Sequence, residues 1–230
     1  IAGDGTNGFR GDGGNAALSW VRGSQGIDID SCGNIFIGDS GNRRIRKIDA
    51  ITNIITTVAG TGSSGNTGDG GNALLATFNY NTGVRVDNGG NIYICDATSY
   101  VIRKVFAGNN IITTIVGTGT SGSSGDGLVP LSATINFPID FVFDLYSNMY
   151  LAEQNGYRIR RINAYNYSNT PTSLSFISST GNSITISFTP PNGLSNSYSN
   201  YLVYGNGIIL SGSGNATSYT INNLSGVSSY

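Results

Sequence analysis

The sequence contains no histidine and has only two cysteines, one tryptophan and five prolines among its 230 residues. Without histidine there is no Ser-His-Asp or Cys-His nucleophile, no histidine-bound zinc and no histidine general base. We therefore expect no catalytic residues and no enzyme activity in this part of the protein. Cys32 and Cys95 occupy different places in the repeat described below, so free thiols are expected rather than a disulfide.

Charge is also scarce, because only 11% of the residues are charged and 12 basic side chains face 13 acidic ones. A protein that neutralises many phosphates needs a basic surface, so nucleic acid is not an expected partner. No apolar run is long enough to span a bilayer, so no membrane insertion is expected in this segment. The chain begins with Ile1 and its one methionine is Met149, which indicates a processed chain or a fragment.

Glycine, in contrast, is abundant, with 34 residues. Short runs of Ile, Val, Leu and Tyr alternate with clusters of Gly, Asn, Ser and Asp, and long Leu-, Glu-, Lys- and Ala-rich stretches are missing. This pattern is typical of many short β-strands joined by polar turns. It predicts an all-β protein.

The strongest feature is an internal repeat of 57 residues, the interval that separates Asn34 from Asn91 (91 − 34) and Asn91 from Asn148 (148 − 91). Three copies follow without insertion, at about 1–57, 58–114 and 115–165. A period of this length is typical of propellers and other repeat architectures. The same interval relates Arg46, Arg103 and Arg160, and also Asp12, Asp69 and Asp126.

Each copy contains four segments with strand patterns. In the first copy they are 26–30, 35–39, 43–49 and 53–60, and in the second 83–87, 92–96, 100–106 and 110–117. Four consecutive antiparallel strands with short turns describe one propeller blade. The Gly-rich connection between copies is expected to carry a helical turn at 73–76, and the third copy lacks a fourth strand of its own.

Residues 59–105, which contain "GTGSSGNTGDGGNA", "GVRVDNGGNIYICD" and "IRKV", resemble the long form of the NHL repeat. Residues 1–50 carry most of the same pattern, and the third copy departs from it at Asp140 and Glu153. The resemblance implies a β-propeller. Because closed propellers have about four blades or more, this chain is expected to contain an incomplete ring.

Residues 171–230 lack the 57-residue period and resemble part of a fibronectin type III domain, an immunoglobulin-like β-sandwich. "SLSFISS" and "SITISFTPP" alternate as paired strands, and Leu224 and Tyr230 have the spacing of a tyrosine corner. The predicted organisation is thus propeller blades at 1–165, a linker at 166–170 and a partial fibronectin-like domain at 171–230.

Charged residues recur in every copy seven positions apart. We predict that these are structural pairs that fasten neighbouring strands, since guanidinium and carboxylate groups suit fixed sites. The predicted pairs are Asp39 with Arg46, Asp96 with Arg103, and Glu153 with Arg160.

Acidic residues in the Gly-rich loops are the candidate metal ligands. Asp12, Asp69 and Asp126 are of the type that calcium prefers, but each loop offers one acid and such residues commonly bond their own backbone. We expect no metal and no cofactor, with calcium as the alternative. Arg10-Gly11-Asp12 forms the tripeptide that integrins bind, yet Gly-Asp-Gly recurs in the other copies, which favours a structural turn.

Three N-glycosylation sequons begin at Asn166, Asn215 and Asn223. The sequence as a whole predicts an extracellular or cell-surface interaction module of a larger adhesive or appendage protein, which binds protein or glycan through propeller faces and sheet edges. Self-association through exposed edges, including filament formation, extends this hypothesis. The alternative is a propeller hydrolase or lyase whose catalytic blades lie outside this sequence.

Overall fold

The structure is a computed structural model that describes residues 1–163 and, beyond them, the backbone of five strands. The chain divides into two compact units, Ile1–Tyr167 and Ser168–Tyr230. The predicted sequons at Asn166, Asn215 and Asn223 lie outside the described residues, as do Leu224 and Tyr230.

The first unit contains three antiparallel sheets that follow one another along the chain. The first sheet consists of β1 (Ile27–Ile29), β2 (Ile35–Asp39), β3 (Arg44–Ile48) and β4 (Ile55–Ala59). The second consists of β5 (Asn81–Val86), β6 (Ile92–Asp96), β7 (Val101–Val105) and β8 (Ile112–Val116). The third consists of β9 (Pro138–Phe143), β10 (Met149–Glu153) and β11 (Arg158–Ile162). In each sheet the strands pair in chain order, as in a propeller blade.

Short 3-10 turns occupy the connections within and between these sheets, at Ala16–Leu18, Ser40–Asn42, Ala73–Leu75, Ala97–Ser99 and Pro130–Ser132. Asn15 and Asn72 accept a backbone N–H through their side chains and thereby cap the first and third of these turns. The predicted helical turn at 73–76 is therefore present as Ala73–Leu75.

The hairpin between the first two strands of a sheet is held by an Asp–Asn pair. Asp30 accepts the backbone N–H of Cys32 at 2.9 Å, and the side chain of Asn34 donates to it at 2.8 Å. The Asn34 side-chain oxygen then accepts the N–H of Ala50, which ties this hairpin to the β3–β4 turn. Asp87 with Asn91, and Asp144 with Asn148, make the corresponding bonds. This explains why Asn recurs at intervals of 57 residues.

The core lies between the sheets. Phe36 and Ile45 of the first sheet pack with Val84 and Ile94 of the second in one buried cluster. A second cluster joins the second and third sheets, and contains Tyr93, Ile102, Phe141, Met149 and Leu151. We call the side of a blade that meets the following blade its trailing face, and the side that meets the preceding blade its leading face. In both joints a trailing face packs against a leading face.

The second unit contains a three-stranded sheet in the order β12 (Thr172–Thr180), β13 (Ser183–Thr189) and β16 (Ser218–Asn222). A hairpin of β14 (Tyr201–Gly205) and β15 (Ile208–Gly212) accompanies it. The fibronectin type III arrangement stays a prediction. The all-β propeller class predicted from the sequence is confirmed by these antiparallel sheets and by the structural relatives reported below. Within the described residues, no helix has the length and apolarity needed to cross a membrane.

Candidate functional site

A buried arginine on the third strand of each blade anchors the preceding Gly-rich connection. Arg46 is fully buried and donates from Nε and Nη2 to Oδ1 of Asp12, at 3.0 and 2.7 Å. Its remaining N–H groups donate to the backbone oxygens of Trp20 (2.9 Å) and Arg10 (3.2 Å). Asp12 in turn accepts the hydroxyl of Thr57 on β4 at 2.5 Å. One guanidinium thus fastens a loop that would otherwise have few contacts to the blade.

The second and third copies repeat this arrangement. Arg103 binds Asp69 at 2.9 and 2.6 Å and donates to the backbone oxygens of Thr77 and Thr67. Arg160 donates to Asp126 and to the corresponding backbone oxygens of Thr134 and Ser124. Sequence reasoning assigned the arginines to the acids of the second strand and missed these loop partners. The sequence did contain a sign of this pairing, because the loop Asp and the strand Arg each recur every 57 residues.

The acid at the end of the second strand lies near the same arginine and also makes other contacts. Asp39 is 3.6 Å from Nη1 of Arg46, and its Oδ1 accepts the N–H of Arg22 at 2.8 Å. Glu153 is 3.3 Å from Nη1 of Arg160. Burial raises the pKa of Asp39 and of Glu153, against the opposing effect of these partners.

In the second copy, Arg103 forms its ion pair with Asp69, at 2.6 Å. Asp96 accepts the backbone N–H groups of Asn79 and Tyr80 at 3.2 and 2.9 Å. Burial raises the pKa of Asp96, while these hydrogen bonds and the charge of Arg103 act in the opposite direction. The acid therefore fixes the start of the first strand of its own blade to the second strand.

The candidate calcium ligands Asp12, Asp69 and Asp126 each lie in a different copy, and each carboxylate binds an arginine. In residues 1–163 and the described strands, no group of three or more Asp, Glu or Cys side chains is arranged to hold a metal ion. The chemistry of these loops is thus an ion pair with an arginine rather than an open set of oxygen ligands.

One surface feature belongs to the first copy alone. We define the copy-one patch as Phe9, Arg10, Trp20 and Arg44. The guanidinium of Arg44 lies 3.7 Å from the ring centre of Phe9, and that of Arg10 lies 5.3 Å from the ring of Trp20. Phe9 and Arg10 are exposed, and Trp20 is half-buried. Guanidinium groups over aromatic faces form cation–π contacts that hold both groups in place.

Backbone and side-chain bonds fix the patch. Arg10 and Trp20 form an antiparallel bridge, and the indole N–H of Trp20 donates to Asp4 at 3.0 Å. Arg44 donates to the backbone oxygen of Thr61 at 2.5 Å, and burial lowers the pKa of its guanidinium. The positions that correspond to the patch are Asn66, Thr67, Thr77 and Val101 in the second copy, and Ser123, Ser124, Thr134 and Arg158 in the third.

The geometry also explains the Arg10-Gly11-Asp12 tripeptide. The Arg10 side chain lies over Trp20, and both carboxylate oxygens of Asp12 accept hydrogen bonds from within the first blade. Gly11 has φ near +95°, and a Cβ there would come within 2.9 Å of the backbone of Ser19. These residues serve the loop, as the recurrence of Gly-Asp-Gly predicts.

Three other charged residues lie on the first strand of a blade. Arg85 on β5 forms an ion pair with Asp140 on β9, and Asp28 on β1 accepts the N–H of Val86 at 2.8 Å. These contacts join neighbouring blades. Asp144 directly follows β9 and belongs to the hairpin turn, where it accepts the N–H of Tyr146.

Both cysteines are free thiols, with Cys32 exposed and Cys95 buried. Cys95 lies in the joint between the second and third blades. Burial raises the pKa of the Cys95 thiol well above its ordinary value.

The family profile of the Teneurin NHL domain matches residues 60–145. Teneurin-1 of Gallus gallus is 30% identical over 140 residues, which is 53% of this chain and 5% of that protein. Teneurin-4 of Mus musculus is 31% identical over 141 residues, or 54% of this chain and 5% of that protein. The chain thus corresponds to a small part of the relatives it matches.

Among solved structures, a Bacteroides thetaiotaomicron protein of unknown function aligns with a TM-score of 0.50 and 26% identity. The alignment covers 56% of this chain and 32% of that one. An auxiliary nutrient binding protein of Bacteroides ovatus aligns with a TM-score of 0.52 and 18% identity, over 63% and 38% of the two chains, and shows the fold alone. With the sheet topology, these comparisons support the predicted NHL-type β-propeller.

Proposed function

We propose that this chain is a non-enzymatic interaction module, extracellular or at the cell surface, which binds protein or glycan through the copy-one patch. The observation that carries the proposal is that Phe9, Arg10 and Trp20 of the copy-one patch break a repeat whose structural residues are otherwise kept. Rigid aromatic rings with adjacent guanidinium groups are the side chains that most often dominate binding energy. The Arg–Asp pairs, in contrast, fasten each Gly-rich loop to its own blade.

The extracellular placement rests on the three sequons and on the low-charge composition rich in Gly, Ser, Thr, Asn and Tyr. The similarity of residues 60–145 to the Teneurin NHL domain supports the use of the fold as a module within a larger protein. The fibronectin-like second unit and filament formation belong to the same proposal.

The test replaces the copy-one patch with the residues that the second copy uses at the same positions. The variant is Phe9→Asn with Arg10→Thr, which copies Asn66 and Thr67. It keeps the loop, because the backbone oxygen of Thr67 binds Arg103 as that of Arg10 binds Arg46. The matched control is Asn66→Ser with Thr67→Ser, which copies Ser123 and Ser124.

The wild-type chain and both variants are applied to a glycan array and to a panel of purified extracellular matrix proteins. We expect at least one ligand whose affinity falls about 30-fold or more in the patch variant, as for a hot-spot residue. The control should keep that affinity. Equal binding by the patch variant, or no ligand for the wild type, would overturn the proposal.

A further inference from the structure

The first copy carries arginines that the other two copies lack, in and beside the copy-one patch. Arg10 and Arg22 occur in the first copy alone, whereas Arg44 has a counterpart in Arg158 of the third copy. Neutral residues take the places of the first two in the other copies, namely Thr67 and Asn79 in the second, and Ser124 and Asn136 in the third. Positive charge is therefore concentrated at the first blade.

The exposure of the patch belongs to its place in the blade. Phe9 and Arg10 are exposed, and so are Asn66 and Thr67, which hold the same places in the second copy. The second blade packs against a neighbour on each side. A blade beside the loop thus leaves these two positions open to solvent.

Hydrogen bonds bring the basic segments of the first copy together. The side-chain nitrogen of Asn42 donates to the backbone oxygen of Gly8 at 2.7 Å, and Nη1 of Arg44 donates to the backbone oxygen of Asn42 at 3.0 Å. The N–H of Gly41 donates to the backbone oxygen of Arg22 at 2.8 Å. The turn that contains Gly41 and Asn42 therefore joins Arg22 and Arg44 to the loop of the patch.

The charges of these arginines are not balanced by ion pairs. Within residues 1–163, three arginines of this region form no ion pair with a carboxylate, namely Arg10, Arg22 and Arg44. The nearby acids have other partners, because Asp12 and Asp39 pair with Arg46, and Asp4 accepts the indole N–H of Trp20. A group of unpaired guanidinium groups attracts anions, and planar guanidinium matches carboxylate and sulfate oxygens in geometry.

The aromatic rings of the patch are already in contact with guanidinium groups. Those of Arg44 and Arg46 lie 3.7 and 5.0 Å from the ring centre of Phe9, and that of Arg10 lies 5.3 Å from the ring of Trp20. These contacts occupy ring surface that a nucleobase or a neutral sugar would need for stacking. The groups offered to a ligand are therefore the N–H groups of the arginines.

The backbone of the patch is engaged as well. The backbone oxygens of Arg10 and Trp20 accept hydrogen bonds from Arg46, and that of Thr61 accepts one from Arg44. An extended peptide that adds to a sheet edge needs free backbone acceptors. Recognition here must come from charged side chains on an open surface, which suits a polymer with an anionic group on each of its units.

We infer that the copy-one patch binds an anionic polysaccharide, with Arg10 and Arg44 pairing with its sulfate or carboxylate groups and Arg22 beside them. This inference rests on the proposed function and names the class of ligand for the same site. Sulfate and carboxylate groups share the chemistry that guanidinium recognises, so the experiment distinguishes them.

The test measures binding of the full 230-residue chain to immobilised polymers by biolayer interferometry. Dextran sulfate and uncharged dextran have the same sugar backbone and differ in charge, alginate supplies carboxylates, and polyglutamate is the peptide with the same charge. The wild type should bind dextran sulfate, alginate or both, and should not bind dextran. Raising the salt concentration from about 0.1 M to about 0.3 M should weaken binding about tenfold, as for a polyanion neutralised by a few arginines.

The variants remove one positive charge each. Arg10→Gln changes an exposed side chain whose backbone oxygen, rather than its guanidinium, binds Arg46. Arg44→Gln removes the guanidinium over Phe9. The matched control is Arg158→Gln, because Arg158 holds the place of Arg44 in the third copy but donates to Ser123, which stands where Phe9 does.

We expect Arg10→Gln and Arg44→Gln each to weaken polysaccharide binding about tenfold, and Arg158→Gln to retain it. Binding to dextran sulfate alone would assign sulfate as the ligand group, and binding to alginate alone would assign carboxylate. Equal binding of uncharged dextran, an equal loss in Arg158→Gln, or equally tight binding of polyglutamate would each overturn the inference, as would failure of both anionic polysaccharides to bind. A protein or neutral glycan that binds through Phe9 and Arg10 would leave the proposed function standing, so the two can fail separately.

Discussion

Arg46 and Asp12 stand 34 residues apart in the chain and form a two-nitrogen contact to a single carboxylate oxygen, at 3.0 and 2.7 Å. Because the arginine is on the third strand and the aspartate in the Gly-rich connection, the pair closes the loop onto the blade. The same contact recurs between Arg103 and Asp69. The loops that carry the copy-one patch are thus held by charge as well as by packing.

Substitution of a loop aspartate should show how much this contact contributes to stability. Asp69→Asn would leave the buried guanidinium of Arg103 without its carboxylate, and should lower the free energy of unfolding by about 2–3 kcal/mol. Asp126→Asn is the matched comparison, because the Asp126 side chain is 71% exposed against 42% for Asp69. It should cost about 1 kcal/mol or less. Urea unfolding measures both, and equal losses would contradict this account.

The buried carboxyl groups should make the free energy of unfolding depend on pH in an unusual direction. Burial raises the pKa of Asp96 above its ordinary value of 3.8. Between these two values the folded chain binds more protons than the unfolded chain, so this group's contribution to stability decreases as pH rises through that window. Asp96→Asn removes the contribution.

The measurement is urea unfolding of wild type and Asp96→Asn from about pH 4 to about pH 7. The stability of the wild type relative to the variant should fall as pH rises. A relative stability that rises with pH would mean that hydrogen bonds and Arg103 outweigh the effect of burial.

The two thiols should differ in reactivity. Cys32 is exposed, whereas Cys95 is buried between two blades and its pKa is raised well above the ordinary thiol value. A thiol-specific reagent should therefore modify one cysteine per folded chain and two per chain in denaturant. Peptide mapping identifies the modified residue, and rapid labelling of Cys95 in the folded protein would disprove the predicted burial of this joint.

Substitution of two glycines by alanine should distinguish the cost of backbone strain from the cost of a steric clash. Gly60 and Gly70 both have positive φ, near +94° and +81°. A Cβ at Gly70 would meet nothing within 4 Å, whereas one at Gly60 would meet the oxygen of Arg43 and the ring of Phe78. Gly70→Ala should cost about 1–2 kcal/mol from its backbone conformation alone, and Gly60→Ala should cost more. Thermal unfolding of the two variants checks the order.

Much of the fold was predictable because the repeat aligns strands that a single copy would leave ambiguous. The second strand was predicted at 35–39 and spans Ile35–Asp39, whereas the first was predicted at 26–30 and spans Ile27–Ile29. The shorter strand reflects Gly26, which lies against the backbone of the second blade. Strand ends of this kind depend on neighbouring blades rather than on local pattern.

The candidate site was less predictable. The contact of Arg10 with Trp20 and that of Arg44 with Phe9 depend on how distant loop segments meet. Comparison of exposed positions across the three copies could have revealed the patch, because the residues that hold the loop recur, whereas Phe9, Arg10 and Trp20 differ from both other copies. The loop acids were assigned to turns because their arginine partners lie 34 residues away.

The central claim is that residues kept in the repeat build the blades, and that residues which break it bind the partner. The most direct measurement compares stability and binding in one variant, Phe9→Asn with Arg10→Thr, by urea unfolding and by titration with a ligand found for the wild type. The account predicts unfolding within about 1 kcal/mol of the wild type and a loss of binding of about 30-fold or more. Retained affinity, or a loss of stability as large as the loss of binding energy, would contradict it.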